Sequence, residues 1–246
     1  MIDVEHLGPL SVITIDRPER RNALDHDALD GLLGALDAAV SLGSRVLVLT
    51  GAAGHFCAGA DLTTVEDEGF VAKLHRLLDG LRTAPMPTLA AIDGAALGAG
   101  TQLAIACDLR MATLRATFGI PAGKLGLMTD HWTVTRLGTL AGPSMARAML
   151  LAAETFTGER AYATGFVTRL AEPDHLGADA RAWAGDIAQL APLTLAGFKT
   201  GLNQAEGPLD WSPEYRAAFD AAWASADLAE GLAAFADRRP PEFHGR

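Results

Sequence analysis

Apolar residues recur along this chain with two periods that take turns. Residues 11 to 16, SVITID, alternate in the manner of a strand, and ALDHDALDGLLGALDAAV, residues 23 to 40, sets Leu29, Leu32, Leu33, Leu36 and Val40 on one helical stripe. RVLVLTG, residues 45 to 51, is a short apolar run with β-branched residues and predicts a buried strand. A second cycle follows: FVAKLHRLLDGLR (70 to 82) predicts a helix, TLAAIDG (88 to 94) a strand and TQLAIACD (101 to 108) a helix. Strand and helix in alternation predict an α/β fold. Beyond residue 143 the pattern turns mostly helical, with one short strand at VTRLAE and then HLGADARAWAGDIAQLA, PLTLAGFKTGLNQAE and a last run through ADRR. The expected organisation is an α/β core over residues 1–190 and a helical C-terminal region over 191–246. No Pro/Ser/Gly-rich linker, low-complexity stretch or short repeat separates them.

A chain of 246 residues is long enough to bury a sizeable core. Half of it is apolar, yet no run approaches the roughly 20 apolar residues of a membrane helix. The opening MIDVEHLGPL lacks the basic and then apolar pattern of a secretory signal. Cys57 and Cys107 stand far apart without CxxC spacing, which fits a reducing compartment and two small buried hydrophobes rather than a disulfide or zinc framework. These features lead to a cytoplasmic expectation. The net charge of −10 disfavours a nucleic-acid partner, because binding there rests on neutralising phosphates with Lys and Arg. A small anionic ligand stays compatible, since DRPERRNAL, residues 16 to 24, gathers three arginines against two acids, with Arg20 and Arg21 adjacent.

Several chemistries can be set aside. GAGTQL, residues 98 to 103, lacks the third glycine of a dinucleotide fingerprint, and no acid follows at the required distance. There is no GK[ST] for a phosphate loop, and the seven histidines show no metal-binding pair, so no metal is expected. Two glycine-rich turns remain, GHFCAGADL (54 to 62) and GAALGAGTQL (94 to 103), each following a predicted strand. Both expose backbone N–H groups, and two such donors aimed at one point beside a helix N-terminus would form an oxyanion hole. The alternative is close packing, because small residues also let a helix lie tightly on a strand.

Taken with their surroundings these segments resemble the crotonase, or enoyl-CoA hydratase/isomerase, superfamily. The resemblance runs through IDRPERRNAL, VLTGAAGHFCAGADL, AAIDGAALGAGTQLAIACDLRMA, ATFGIPAGKLGL, ARAMLLAAETFTGERAYATGFVTRL and AFADRRPPEFHGR, in order and over nearly the whole chain. It implies a spiral of ββα units with a helical C-terminal trimerisation region, assembled as a homotrimer or a hexamer of two trimers. It implies an acyl thioester of coenzyme A as ligand or substrate and no separate cofactor. The oxyanion donors would be the N–H groups of Ala60 and Ala99. The adenine edge would meet backbone at Ala58 and Ala60, and Arg20, Arg21 and Lys199 are the candidates for the phosphates, against a plain reading of all three as solvated surface charge.

Hydratases of this family use two glutamates to activate water and to protonate the α-carbon, and by resemblance these would fall at Gln102 and Ala122. An amide cannot ionise to take a proton and Ala122 has no polar side-chain atom, so the resemblance implies a site that binds acyl-CoA with weak or no hydratase activity. Asp130, in GKLGLMTDHW, falls where other members place a catalytic acid, and an apolar pocket could tune it. It also reads as a helix N-cap before WTVTRL. Leu127, Met128 and Trp132 are candidates for an acyl pocket, while Leu125 reads better as core. KLGLMTDHW and RPPEFHG are further similar to hydratase-like members of mycolic-acid metabolism that lack both glutamates. Three functions stay open at this point: an acyl-CoA binder of lipid metabolism, an isomerase or residual hydratase using Asp130, and an interaction module on the same scaffold.

Overall fold

In chain order the elements are β1 (Ile2–Leu7), β2 (Leu10–Ile15), α1 (His26–Ser41), β3 (Val46–Gly51), α2 (Glu68–Thr83), β4 (Thr88–Ile92), β5 (Ala95–Leu97), α3 (Ala99–Ala106), β6 (Leu109–Ala112), β7 (Thr117–Gly119), α4 (His131–Ala141), α5 (Pro143–Leu151), β8 (Phe156–Thr157), α6 (Gly158–Ala163), β9 (Arg169–Leu170), α7 (Leu176–Ala188), α8 (Pro192–Ala205), α9 (Pro213–Trp223) and α10 (Ala226–Ala236). The structure is a computed structural model and describes residues 1–62, 68–205 and 213–244. Mixed α/β architecture is therefore present as the periodicity predicts.

Six strands form one sheet in the order β1-β2-β3-β4-β6-β9, and β5-β7-β8 form a smaller one. β1 and β2 are an antiparallel hairpin, whereas β2, β3, β4, β6 and β9 pair parallel in succession. Parallel strands covered on both faces need apolar residues at every position, which is why VLVLTG and TLAAI read as continuous runs. On one face Val12, Val48, Leu89 and Met111 pack against Trp183 and Ile187 of α7. Residues one position away along the strands point to the other face, and α1 lies against β1, β2 and α2. Asp25 caps α1 by accepting from the Ala28 N–H at 2.9 Å, and the predicted stripe is buried at Leu29, Leu32, Leu33 and Leu36. Val40, expected on the same stripe, is 40% exposed, although Ala39 beside it is fully buried.

The chain divides into two compact units, Met1–Phe118 with Phe156–Ala205, and Gly119–Thr155 with Glu206–Arg246. The sequence places a boundary near residue 190, and the units part elsewhere. α8 packs on α2 within the first unit, where a single long cation fastens it. The second unit takes its first half from the middle of the chain. The helical run near the C-terminus is two helices, because the Ser225 hydroxyl accepts from the Leu228 N–H at 3.2 Å and starts α10 afresh. No described helix is long and apolar enough to cross a membrane.

Candidate functional site

β3 delivers the chain into the first glycine turn. A β-carbon on Gly51 would overlap the carbonyl oxygens of His55 and Phe56, so the turn can close this tightly only with glycine there. The strand of residues beyond it is then held on two sides. Cys57 N–H donates to Ala95 at 2.8 Å and its carbonyl accepts from Leu97 at 3.0 Å. Across the other edge, Ala58 N–H donates to Arg21 at 3.0 Å, Leu24 N–H donates to the Gly59 carbonyl at 2.8 Å, and Asp61 N–H returns to Leu24 at 2.6 Å. Residues 57 to 61 are thus pinned between the second glycine turn and the loop ahead of α1.

The second turn ends at Gly98, whose φ of +53° starts α3 without a side-chain cap. Gly59 has φ +114°, and a β-carbon on it would sit 3.0 Å from the Leu97 oxygen and 3.9 Å from the Ala99 nitrogen. A β-carbon on Gly100 would overlap the Cys57 carbonyl oxygen outright. The two turns are therefore in direct contact through glycines that admit no side chain. Among the described residues no hydrogen-bond acceptor engages the N–H of Ala60 or that of Ala99. Ala99 opens α3, where the first N–H groups lack intrahelical partners and carry the positive end of the helix dipole. Backbone donors of this kind, where two converge on one point, polarise a carbonyl oxygen.

Two groups that organise this arrangement escape a reading of the sequence. Asn22 is fully buried, with φ +60° directly after Arg21 at φ +49°. Its amide donates to the carbonyls of Ala52 at 3.0 Å and His55 at 2.6 Å, and its oxygen accepts from the Arg17 N–H at 2.8 Å. Consecutive left-handed residues in RRNAL are the local signal, since asparagine tolerates that region. Asp93 closes the second turn: it accepts from Arg115 Nε at 2.7 Å and again from Arg115 Nη2, from Thr113 Oγ1 at 2.7 Å, and from the Gly94 N–H at 3.0 Å. Burial pushes the Asp93 carboxyl up, but the hydrogen bonds from Arg115 and Thr113 and the Arg115 charge outweigh it and hold the group below its ordinary value.

The other candidates fall into different places. Gln102 stands in the first turn of α3, buried, with its N–H on the Gly98 carbonyl at 3.0 Å. Ala122 lies in the second unit, in a 3-10 turn over Pro121–Lys124, and its carbonyl accepts from Leu125 and Leu127 at 3.0 Å. Asp130 is realised as the N-cap of α4: one oxygen accepts from the Thr133 N–H at 2.9 Å and the other from the Thr133 hydroxyl at 2.6 Å. Leu127, Met128 and Trp132 are half-buried in that same unit. Arg20 and Arg21 are exposed and outside the described ion pairs, and Ala58 is half-buried.

Lys199 corrects its sequence reading. It is only 7% exposed, and its ammonium donates to the carbonyls of Leu81 at 3.0 Å and Met86 at 3.1 Å and pairs with Asp108 at 2.7 Å. Those three oxygens absorb its three donors, so it fastens α8 to the core instead of reaching a phosphate. Both cysteines are fully buried, and desolvation pushes each thiol up to about 12, which leaves neither as a thiolate nucleophile near neutral pH.

The sequence profile described as enoyl-CoA hydratase/isomerase matches residues 7–246. The chain is 41% identical over 256 residues to the probable enoyl-CoA hydratase echA6 of Mycobacterium leprae, covering all of both chains. It is 35% identical over 242 residues to the 2,3-dehydroadipyl-CoA hydratase of Escherichia coli, covering 96% of this chain and 95% of that one. Among solved structures, methylmalonyl-CoA decarboxylase in complex with 2-nitronate-propionyl-CoA superposes with a TM-score of 0.92, at 23% identity, over 100% of this chain and 98% of that one, a likeness of fold alone.

Proposed function

The chain belongs to the enoyl-CoA hydratase/isomerase family, and from that premise we propose that it binds fatty acyl thioesters of coenzyme A with little or no hydratase turnover. The observation that carries this reading is the pair of unengaged N–H groups at Ala60 and Ala99 on turns locked together by Gly59 and Gly100. In this reading the thioester carbonyl oxygen accepts from both. The donors belong to the backbone, so alanine at either position costs nothing.

What the site lacks is a proton carrier. Gln102 follows Ala99 by one helical turn, at the position where hydratases of the family carry a glutamate, and its amide neither takes up nor releases a proton near neutral pH. Ala122 at the second such position has no ionisable atom. A positioned acid or base contributes on the order of 10²–10⁴ in rate, whereas one oxyanion donor contributes about 3 kcal/mol. Removing both acid–base groups therefore abolishes hydration at useful rates and leaves the grip on the carbonyl. In this reading Asp130 serves as the N-cap of α4, each of its oxygens accepting from Thr133.

In the same reading the exposed guanidinium groups of Arg20 and Arg21 meet the coenzyme A phosphates, and the backbone of Ala58 and Ala60 meets the adenine. Leu127, Met128 and Trp132 line the acyl chain. The protein works as a homotrimer or a pair of trimers in the cytoplasm, serving fatty-acid metabolism.

Calorimetric titration with palmitoyl-CoA, butyryl-CoA and free coenzyme A tests this. The acyl forms are expected to bind more tightly than free coenzyme A. Ala99 is the first residue of α3, a position that accepts proline at little cost while removing the N–H. Ala99→Pro is therefore expected to narrow the gap between acyl-CoA and free coenzyme A by roughly ten-fold, the worth of one hydrogen bond. A wild-type protein that binds no acyl-CoA would overturn the reading.

A further inference from the structure

Loop residues 125 to 128, which carry Leu127 and Met128, are held by the C-terminal helices at three backbone points. The indole Nε1 of Trp223, at the end of α9, donates to the Met128 carbonyl at 3.0 Å. Gly126 has φ +68° and lies so close to α10 that a β-carbon there would sit 2.7 Å from the Asp227 oxygen and 2.8 Å from the Leu228 nitrogen. One turn along α10, a β-carbon on Gly231 would overlap the Leu125 carbonyl oxygen and stand 2.9 Å from its Cα. Glycine on each side of the contact lets backbone meet backbone, so the loop cannot shift without α10.

α10 is in turn strapped from outside by the chain that follows it. Arg239 grips Glu230 with both terminal nitrogens, at 2.6 and 2.8 Å, the bidentate geometry in which an ion pair is most directional. Glu242 N–H adds a bond to Glu230 Oε1 at 2.8 Å, and His244 N–H donates to Asp227 Oδ1 at 2.7 Å. Pro240 and Pro241 stiffen the link between Arg239 and Glu242. The hydrogen bonds from Arg239 and Glu242 hold the Glu230 carboxyl down at about 2, so the strap stays charged throughout the physiological range.

We propose that α9, α10 and the 239–244 tail are a brace for the 125–128 loop, with Trp223 and Glu230 as positioning residues that set which acyl chain lengths the protein accepts. The brace touches the backbone at Leu125, Gly126 and Met128, so it fixes where the Leu127 and Met128 side chains stand without using them. This rests on the acyl-CoA reading above, in which those side chains line the acyl chain.

Two variants separate the device from general stability. Trp223→Phe keeps an aromatic ring over Phe219, 5.6 Å away, and removes only the donor to Met128. Glu230→Gln removes the charge of the strap and keeps an acceptor for the Glu242 N–H, and the exchanged pair Glu230→Arg with Arg239→Glu restores the ion pair with reversed sign but not that acceptor. Affinities are measured for butyryl-CoA, palmitoyl-CoA and free coenzyme A, together with hydrogen exchange at the Leu125 and Leu127 amides. Each single variant is expected to change the palmitoyl-to-butyryl ratio by about two- to ten-fold, the range of one hydrogen bond. Affinity for free coenzyme A is expected to stay constant, exchange at the two amides to accelerate, and the exchanged pair to return toward wild type. An unchanged chain-length ratio with unchanged exchange in both single variants would overturn the proposal. Accelerated exchange in a protein that binds no acyl-CoA would instead overturn the acyl-CoA reading, and with it the chain-length role, leaving a purely structural brace.

Discussion

Gly100 lies against the carbonyl of Cys57 so closely that no side chain fits between them. This single contact seats the start of α3 on the strand of residues that ends in Ala60, and so brings the two unengaged N–H groups onto touching turns. Gly100→Ala forces either α3 or the Cys57 peptide to move. Overpacking of this kind costs roughly 1–3 kcal/mol, and urea denaturation is expected to report that loss together with weakened acyl-CoA binding. Binding and stability both at wild-type values would show that the contact does not set the turns.

Asn22 makes the second fastening. Asn22→Ala leaves the His55 carbonyl and the Arg17 N–H without their side-chain partner, removes one of two donors to the Ala52 carbonyl, and leaves a non-glycine residue at φ +60° without the side-chain bonds that justify it. Unsatisfied buried groups cost about 1–3 kcal/mol each, less where water reaches them. A fall in the urea midpoint is expected, larger than that for alanine at neighbouring exposed Arg20.

Asp93 and Arg115 give the stability a pH signature. The Asp93 carboxyl is held below its ordinary value, so its contribution is present above the unfolded pKa of about 3.9 and is lost as pH falls through the folded value. Arg115 is 60% exposed at its side chain, which screens the pair and keeps the effect small. Removing it in Arg115→Ala leaves burial less opposed and moves the Asp93 carboxyl upward, with the Thr113 and Gly94 hydrogen bonds still in place. Denaturation midpoints of wild type and variant are expected to differ at pH 7, with a gap that narrows as pH falls below the ordinary carboxylate value. A gap of constant size across that range would contradict the assignment.

Asp130 separates a cap from a catalyst. Asp130→Ala removes the N-cap of α4 and is expected to cost about 1 kcal/mol of stability. Any product formed from an enoyl-CoA should be the same in wild type and variant. A specific loss of turnover in Asp130→Asn, with stability retained, would return the residue to chemistry.

How much of this the sequence displayed depends on the range of the interaction behind each feature. α1, α2, β3 and β4 were legible because a stripe or a continuous apolar run is local. The pairings β5–β7 and β7–β8 involve two or three residues each and arise from contacts far apart in the chain, so no local pattern announces them. β1 is an edge strand with a mixed burial pattern, which blunts its alternation. The two glycine turns stood out by composition, whereas Asn22 and Asp93 act through partners up to 33 and 22 residues away. Lys199 misled in the opposite direction, because lysine belongs to solvent unless a distant acid and two carbonyls happen to receive it. Asp130 carried both meanings in its sequence, and its two bonds to Thr133 establish the cap.

In the proposed function the Ala60 and Ala99 amides hold an acyl thioester, and Gln102, one helical turn after Ala99, cannot move a proton. The most direct test is incubation of the protein at high concentration with trans-2-enoyl-CoA substrates of increasing chain length, with bound and free species identified by mass spectrometry. Enoyl-CoA is expected to be recovered with the protein, with no hydrated product above a protein-free control. Hydrated product formed catalytically, with Gln102 and Ala122 in place, would contradict it.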